Sequence, residues 1–294
     1  MMRSAIVAAL CLAAVAPQPA VATPGRRPDT SPLHAPPHAD EAMGLLATDF
    51  GAVGDNLTDD SAALQAAVDA AQGLGRRLFV PAGRYLLSQP LLVRCYDSWP
   101  DTCHPKANHS LTLVGEGMSQ TRFIATGGAA QEAVLKLCSG SMSDTANLTS
   151  QTLNSSGFHR LEHFTVQAGG AQYGILAPRL TRTDFYALQV GGASRVGIFA
   201  SGWNNRLESC HFSSNVVGVL LGNQANGVAV TRCNFEGANG VGLAIFQGEM
   251  VNIEGNCIEG NDGIGILLVG VRGLRIAGNY FVRCVLFHST LSGL

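Results

Sequence analysis

The sequence predicts an all-β protein that winds as a parallel β-helix. Strand-like alternation, as in Ile264-x-Ile266-x-Leu268, runs through a repeating unit that holds no stretch long enough for a helix. A unit of about 23 residues suits three short strands joined by tight turns, and its repetition indicates a solenoid. An apolar column marks the six units at spacings of 24, 22, 23, 23 and 23 residues: Val166, Val190, Phe212, Phe235, Ile258 and Phe281.

Stacked coils should align equivalent residues in ladders about 4.8 Å apart. Cys210 should therefore lie over Cys233, and Asn256 over Asn279, where side-chain amides can chain hydrogen bonds. A leucine-rich horseshoe has a similar period, but its L-x-x-L-x-L frame is missing here. One glycine in each of four units follows a bend, where we expect backbone dihedrals that other residues avoid: Gly197, Gly218, Gly242 and Gly265.

The segment before the repeats predicts an N-terminal capping helix and two strand pairs. "TDDSAALQAAVDAAQGLG" (58–75) is amphipathic over about 14 residues, with Thr58 as N-cap and Gly73 or Gly75 at its end. Asp59 and Asp60 should lie in the positive first turn, so capping explains this acidic pair better than catalysis does. "RRLFVPAGRYLLS" (76–88) and "SLTLVGEGMSQTRFIAT" (110–126) each read as strand, turn and strand.

The chain organisation predicts an exported protein. Residues 1–22 have the pattern of a secretory signal peptide, with Arg3, an apolar run and Ala20-Val21-Ala22 before the expected cleavage site. Residues 23–46 form a proline-rich leader, and 47–294 form the β-helix domain, regular from about residue 160. The sequence stops soon after the sixth unit, so we expect a shortened chain or an oligomer that covers the open end.

The composition argues against two classes of partner, nucleic acids and membranes. A formal net charge of −2 with 14% charged residues gives no electrostatic footprint for nucleic acid or an anionic membrane. The apolar run of the signal pattern is too short to span a bilayer, and no other stretch approaches the required length of about 18 apolar residues. We therefore expect a secreted protein with neither a nucleic-acid nor a membrane partner.

Cysteines and glycosylation signals agree with export. Cys95 and Cys103 bracket the turn-rich "YDSWPDT" and should form a disulfide. The pairing of Cys138, Cys210, Cys233, Cys257 and Cys284 stays open, since buried thiols are common in apolar repeats. An N-x-[ST] signal occurs at Asn56, and glycosylation is expected at three further ones: Asn108, Asn147 and Asn154.

Three sequence blocks carry a family resemblance. "DFGAVGDNLTDDSAALQAAVDAA" (49–71), "LFVPAGRYLLS" (78–88) and "LTLVGEGMSQTRFIA" (111–125) resemble the N-terminal signature of the pectate-lyase-like superfamily. The resemblance covers about 47–288 and implies a single-stranded, right-handed parallel β-helix. The superfamily includes polygalacturonases, rhamnogalacturonases, exo-glucanases, phage tailspikes and mannuronan C5-epimerases, so it implies a scaffold and not one reaction.

The sequence departs from the family patterns in three places. Asn56 stands where the family usually has glycine. The polygalacturonase motifs Asn-Thr-Asp, Asp-Asp and Gly-His-Gly are missing. The epimerase block Tyr-Gly-Phe-Asp-Pro-His has only an echo in "YGILAPR" (173–179), where Tyr173 and Gly174 match but the acid and the histidine are absent. The motifs therefore predict neither polygalacturonase nor epimerase activity for this sequence.

Outward-facing residues of three successive coils form the candidate catalytic site. Residues flanking the inward Leu161, Phe185 and Leu207 should stack in two columns, Arg160–Asp184–Arg206 and Glu162–Tyr186–Glu208. We assign acid and base roles to Asp184 and Glu208 and supporting catalytic roles to Tyr186 and Arg206. Predicted substrate-binding residues are Arg160, Glu162, Arg182 and His211.

Two reactions fit this cluster. Hydrolysis requires two carboxyl groups. Asp184 and Glu208 should lie about 8 Å apart, and Glu162 and Glu208 roughly 9.6 Å apart, and either pair suits inversion. In eliminative cleavage of a uronic-acid polymer, an arginine would neutralise the sugar carboxylate while Tyr186 or a histidine takes the ring proton. The alternative is a solvated charge ladder, because opposite charges on neighbouring strands stabilise a sheet modestly.

A weaker cluster concerns metal binding. Glu236 and Glu259 occupy equivalent positions of neighbouring coils, about 5 Å apart, with Glu254 and Asp262 near in sequence. Such a set could hold Ca²⁺, although carboxylates directed into water are the alternative. We expect no required cofactor.

These features together predict a secreted protein that binds and cleaves an acidic cell-wall or matrix polysaccharide on the side of the β-helix. Two alternatives stay open: a non-catalytic glycan-binding or adhesive module, and a truncated, inactive homologue.

Overall fold

The computed structural model describes residues 44–94, 110–137, 158–178, 180–222 and 224–289. The signal peptide (1–22), nearly all of the leader, and several predicted sites lie outside these ranges. The sites concerned are Cys95, Cys103, Cys138, Asn108, Asn147 and Asn154. Within the described ranges, no helix combines the length and the apolar character needed to cross a membrane.

The fold is a right-handed parallel β-helix, as predicted, built from three parallel sheets. Each full coil contributes one strand to sheet A, one to sheet B and one to sheet C, in that order along the chain. Helix α1 (Ser61–Leu74) packs at the N-terminal end, and short 3-10 helices span Ala47–Phe50 and Gly128–Ala130.

The strand bounds follow by sheet. Sheet A contains β1 (Leu45–Leu46), β3 (Arg77–Val80), β6 (Thr112–Gly115), β9 (Arg160–Glu162), β12 (Asp184–Tyr186), β15 (Arg206–Glu208), β18 (Ala229–Thr231), β21 (Asn252–Glu254) and β24 (Arg275–Ala277). Sheet B contains β2 (Asp55–Asp59), β4 (Gly83–Leu87), β7 (Thr121–Ala125), β10 (Thr165–Gln167), β13 (Gln189–Gly191), β16 (His211–Ser213), β19 (Asn234–Glu236), β22 (Cys257–Glu259) and β25 (Tyr280–Val282). Sheet C contains β5 (Leu91–Val93), β8 (Ala133–Leu137), β11 (Tyr173–Ala177), β14 (Val196–Ser201), β17 (Val217–Gly222), β20 (Val241–Phe246), β23 (Ile264–Val269) and β26 (Val285–Ser289).

The predicted apolar column is the inward column of sheet B. Val166 pairs with Val190, Val190 with Phe212, and Phe212 with Phe235, and the pairing continues through Ile258 to Phe281. The rings of Phe212 and Phe235 stack with centroids 5.0 Å apart. Burial of this column among like residues of adjacent coils is the main stabilising term that the repeat provides.

The two predicted ladders are present. Asn256 Nδ2 donates to Asn279 Oδ1 at 2.8 Å, and Asn256 Oδ1 accepts the backbone N–H of Cys233 at 2.8 Å. Cys210 and Cys233 are buried, and burial raises the pKa of the Cys233 thiol well above its usual value. The described cysteines, Cys210, Cys233, Cys257 and Cys284, are free thiols.

The prediction that the repeated glycines adopt unusual backbone dihedrals after a bend was wrong. None of Gly197, Gly218, Gly242 and Gly265 has a left-handed φ, and each lies within a strand of sheet C. A Cβ at Gly218 would instead lie 2.4 Å from the carbonyl oxygen of Gly242 in the next coil. Gly197 and Gly242 show the same conflict with the next glycine of the stack, at 2.5 and 2.6 Å. Glycine is required there by close approach of stacked backbones.

The start of α1 also differs from the prediction. The N-cap is Asp60 rather than Thr58, and both acidic residues precede the first turn. The Asp60 carboxylate is buried and accepts the backbone N–H groups of Val53 and Gly54 at 2.7 and 3.2 Å. The Asp59 carboxylate accepts the hydroxyl hydrogen bonds of Ser61 and Ser88, both at 2.5 Å. These hydrogen bonds engage the Asp59 and Asp60 carboxylates in place of the predicted capping role, and they connect the start of α1 to the first coils.

Asp59 should therefore stabilise the fold in a pH-dependent way. Hydrogen bonds from Ser61 and Ser88 lower the pKa of Asp59 from 3.8 to about 2. A depressed folded-state pKa gives stability that is present above pH 3.8 and is lost as the pH falls through about 2. Because the carboxylate is exposed, we expect Asp59→Asn to cost only about 1 kcal/mol at pH 7.

Urea unfolding at pH 7 and pH 2 checks this expectation. The difference between wild type and Asp59→Asn should shrink at pH 2, and the exposed Asp262→Asn should match wild type at both pH values. A cost that is equal at the two pH values would show that the charge of Asp59 is not what matters.

Candidate functional site

The outer face of sheet A brings the two predicted polar columns together. Asp184 pairs in register with Arg160 on one side and Arg206 on the other. Tyr186 pairs in the same way with Glu162 and Glu208. The chain alternates here because Phe185 and its equivalents point into the core, so their two neighbours point outward. The predicted stacking is present, while the catalytic and binding roles of these residues stay predictions.

Ion pairs engage both glutamates of this face. Arg160 Nε donates to Glu162 Oε2 at 2.6 Å, and this hydrogen bond is the main reason why the pKa of Arg160 is raised. Arg160 Nη1 also lies 3.9 Å from Asp184 Oδ2. Glu208 is paired with Arg232 of the following coil. The partner of Glu208 was not foreseen, because Arg232 lies at a corner between sheets A and B rather than in a strand.

Tyr186 occupies the centre of the face. The guanidinium carbon of Arg160 lies 5.7 Å from the centroid of its ring, and the His163 ring stands edge-on to it with centroids 5.2 Å apart. Arg206, one coil further, is exposed and has no ion-pair partner among the described residues. A half-buried phenol thus lies beside an imidazole and a guanidinium, with a second, free guanidinium nearby.

The other two predicted binding residues, Arg182 and His211, lie outside the strands of sheet A. Arg182 precedes β12 in a left-handed turn (φ 52°), and its guanidinium lies 5.3 Å from the centroid of the Phe158 ring. His211 does not join the sheet A residues: it begins β16 in sheet B, because the chain turns a corner at Ser209 (φ 55°). His211 Nε2 lies 3.3 Å from Glu236 Oε2, but the geometry is not that of a hydrogen bond.

The predicted metal-binding glutamates are neighbours on the outer face of sheet B. Glu236 pairs with Glu259 in register, and both are exposed. Glu254 lies on sheet A instead, where it pairs with Arg275 at 3.3 Å. No group of three or more His, Cys, Asp or Glu side chains is arranged to hold a metal ion within the described ranges. Calcium binding here stays a prediction.

A cleft on the outer face of sheet B was not predicted. It has a volume of about 470 Å³ and is lined by Arg122, Thr165, Gln167, Gln189 and Ser213, among others. The sequence contained a signal, because three of these residues flank the inward column at Val166 and Val190. Uncharged polar residues in such positions resemble ordinary exposed strand residues until the coils are stacked.

The outer face of sheet C is apolar at the position of the epimerase-like segment. Tyr173 packs edge-on against Phe199 with ring centroids 6.2 Å apart, and Leu176 lies buried in the same cluster. This packing agrees with the missing acid and histidine of "YGILAPR". The described part of this segment therefore offers no acid–base group besides the Tyr173 phenol.

Comparison with known proteins settles the family. The family model described as "Rhamnogalacturonase A/epimerase, pectate lyase-like" matches residues 46–284. The chain belongs to this family. The match runs from the end of β1 to just before β26, so the pectate lyase-like family assignment rests on nearly all of the β-helix and not on one motif.

Individual relatives are similar over smaller parts. Mannuronan C5-epimerase AlgE1 of Azotobacter vinelandii is 40% identical over 81 residues, which are 27% of this chain and 5% of the epimerase. The Agl-KA catalytic domain is similar in structure (TM-score 0.61, 20% identity) over 92% of this chain and 45% of that chain. The N-terminal fragment of bacteriophage phi29 gene product 12 is also similar (TM-score 0.58, 14% identity; 83% and 44% covered). These structures share the β-helix fold with this pectate lyase-like chain.

Proposed function

We propose that this protein acts on an acidic polysaccharide that it binds along the outer face of sheet A. The reaction begins with removal of the proton at C5 of a uronate residue, next to its carboxylate. The electron pair left at C5 then follows one of two courses. It forms a C4=C5 double bond as the O4 glycosidic oxygen leaves and takes up a proton from water, which cleaves the chain, or it bonds a proton from water on the opposite face, which inverts C5.

The position of Tyr186 carries this proposal. A group that removes a C5 proton needs a cation at the sugar carboxylate, because the negative charge moves onto that carboxylate as the proton leaves. Tyr186 lies beside Arg160 and His163, and Arg206 is exposed one coil away without an acidic partner among the described residues. Tyr186 is the proposed base, and Arg206 the proposed carboxylate-binding residue.

The same ion pairs make hydrolysis by Asp184 and Glu208 the weaker reading. An inverting hydrolase needs one carboxyl group as acid and a second, free to activate water. Glu208 is paired with Arg232, and Glu162 with Arg160. The mannuronan C5-epimerase named above supports a C5 reaction, since its name describes one, although this chain matches only 5% of its length.

A second candidate function is glycan binding without turnover. It is favoured by the apolar packing of Tyr173 and Leu176, in a segment from which the acid and the histidine of the epimerase block are missing. In this case the arginines of sheet A bind uronate carboxylates, and Tyr186 contributes only a ring against which a sugar can pack.

A substrate panel separates the two candidates. The purified protein is incubated with polygalacturonate, alginate and a neutral β-glucan, and three products are followed: absorbance near 235 nm, new reducing ends, and the proton NMR spectrum of the polymer. Unsaturated ends or inverted C5 centres on an acidic polymer support the proposal. New reducing ends without either signal would contradict it, and affinity without any product identifies a glycan-binding module.

A further inference from the structure

The sheet B cleft lies on a different face from Tyr186. Its lining comes from four consecutive coils, through β7, β10, β13 and β16. The chain turns a corner at Ala187 (φ 49°) between Tyr186 and Gln189, so the sheet A face and the cleft are separate surfaces. The volume of about 470 Å³ falls in the range of small-molecule sites, about 300–1,000 Å³.

A missing side chain contributes to the depression. Gly191 stands in the outward column between Gln167 and Ser213, so the backbone is uncovered at this point. A Cβ at Gly191 would lie 2.8 Å from the carbonyl oxygen of Ser213. The close stacking that requires glycine therefore also leaves the outward column without a side chain at this point of the cleft.

The lining offers hydrogen-bonding groups without a carboxylate. Gln189 Oε1 lies 3.3 Å from the Thr165 hydroxyl, which also donates to the Met118 carbonyl. The Nε2 amide of Gln189 has no partner among the described residues. The side chains of Gln167 and Ser213 likewise have no side-chain hydrogen bond within the described ranges. Amide and hydroxyl groups of this kind both donate to and accept from sugar hydroxyls.

One end of the cleft is cationic. Arg122 pairs in register with Arg84 of the preceding coil, so two guanidinium groups share one outward column. Arg122 Nε donates to the Ser119 carbonyl at 3.3 Å, which holds the side chain in place. Neither arginine has an acidic partner among the described residues. Two like charges without an acid between them favour an anionic ligand, and guanidinium groups suit a carboxylate in particular.

We propose that this cleft is a second glycan-binding site, which takes a uronate residue of an oligosaccharide. The carboxylate lies at Arg122, and the sugar hydroxyls contact Gln167, Gln189 and Ser213. The substrate class rests on the proposed function, but the site is distinct from the sheet A face and performs no chemistry. It would hold a long polymer to the protein while sheet A acts on another segment.

The test uses the full chain with the sheet A face disabled by Tyr186→Phe and Arg206→Gln. Isothermal titration with tetragalacturonate and with tetramannuronate measures the remaining affinity. Adding Gln189→Ala or Arg122→Gln should weaken the Kd of the better probe about 10-fold or more, since each removes a hydrogen-bonding group that contacts the ligand. Matched controls, Gln89→Ala and Arg272→Gln, replace residues that do not line the cleft and should leave the Kd unchanged.

Two outcomes overturn this inference: no binding of either tetrasaccharide to the disabled protein, or equal Kd values for cleft variants and controls. Thermal unfolding midpoints of all variants show that each one is folded. Because cleft variants and controls are compared within one background, failure of the sheet A proposal leaves the difference between their Kd values unaffected. Conversely, failure here leaves the products of the substrate panel unaffected.

Discussion

Replacing Tyr186 by phenylalanine should lower turnover of the uronate polymer by about 10²- to 10⁴-fold, the usual contribution of a positioned acid or base. The substitution removes only the phenol oxygen and keeps the ring that packs against Arg160 and His163. Half-saturating polymer concentration should change little, because the arginines that bind carboxylates remain. Initial rates at 235 nm, or by NMR for an epimerising reaction, measure the effect.

A matched control is available in the last coil. Tyr280 begins β25, is 63% exposed, and contacts neither the sheet A columns nor the sheet B cleft in the described structure. Tyr280→Phe should retain wild-type turnover. If Tyr186→Phe also kept full turnover, Tyr186 would not be the base, and the reaction would have to be assigned to another group.

Gly218→Ala should have the largest effect on folding. The added methyl would lie 2.4 Å from the Gly242 carbonyl oxygen, which belongs to a strand fixed by its own pairing on both sides. Neither backbone can move without displacing a coil, so we expect a loss of about 3 kcal/mol or more in the free energy of unfolding. Urea unfolding followed by circular dichroism gives the value.

Gly73→Ala provides the contrast for this measurement. A Cβ at Gly73 meets nothing within 4 Å, and the residue lies in α1, where alanine is favoured over glycine by about 1 kcal/mol. This variant should be as stable as wild type or slightly more stable. Equal stability of Gly218→Ala and wild type would show that the coils are not packed as closely as described.

The fold could be predicted because the apolar residues that face the core recur once in every coil. Val190, Phe212 and Phe235 must face the core in every coil, so their spacing of about 23 residues records the length of one turn of the β-helix. The start of the helix was harder to predict. Thr58 and Asp60 are both good N-cap residues by type, but Asp60 holds the N-cap position without a side-chain cap hydrogen bond, since its carboxylate accepts the backbone N–H groups of Val53 and Gly54.

The site could be predicted only in part. Register follows from the repeat, so the neighbours of Asp184 and Tyr186 were correctly predicted. The ion pairs of the side chains do not follow from the register, because the long Arg232 side chain reaches Glu208 from the corner between sheets A and B. His211 was grouped with residues on another face, since proximity in sequence does not show where the chain turns between sheets. The cleft depends on Gly191, which is recognisable only when its stacked neighbours are known.

Solvent deuterium at C5 tests the central claim most directly. Polygalacturonate and alginate are incubated in D₂O with wild type and with Tyr186→Phe, and each product is examined by proton NMR and by absorbance near 235 nm. Wild type should either introduce deuterium at inverted C5 centres or generate unsaturated ends that have lost the C5 proton, and Tyr186→Phe should do neither within the same time. Saturated new chain ends that keep the original C5 proton would contradict the account, because the polymer would then have been hydrolysed without any reaction at that carbon.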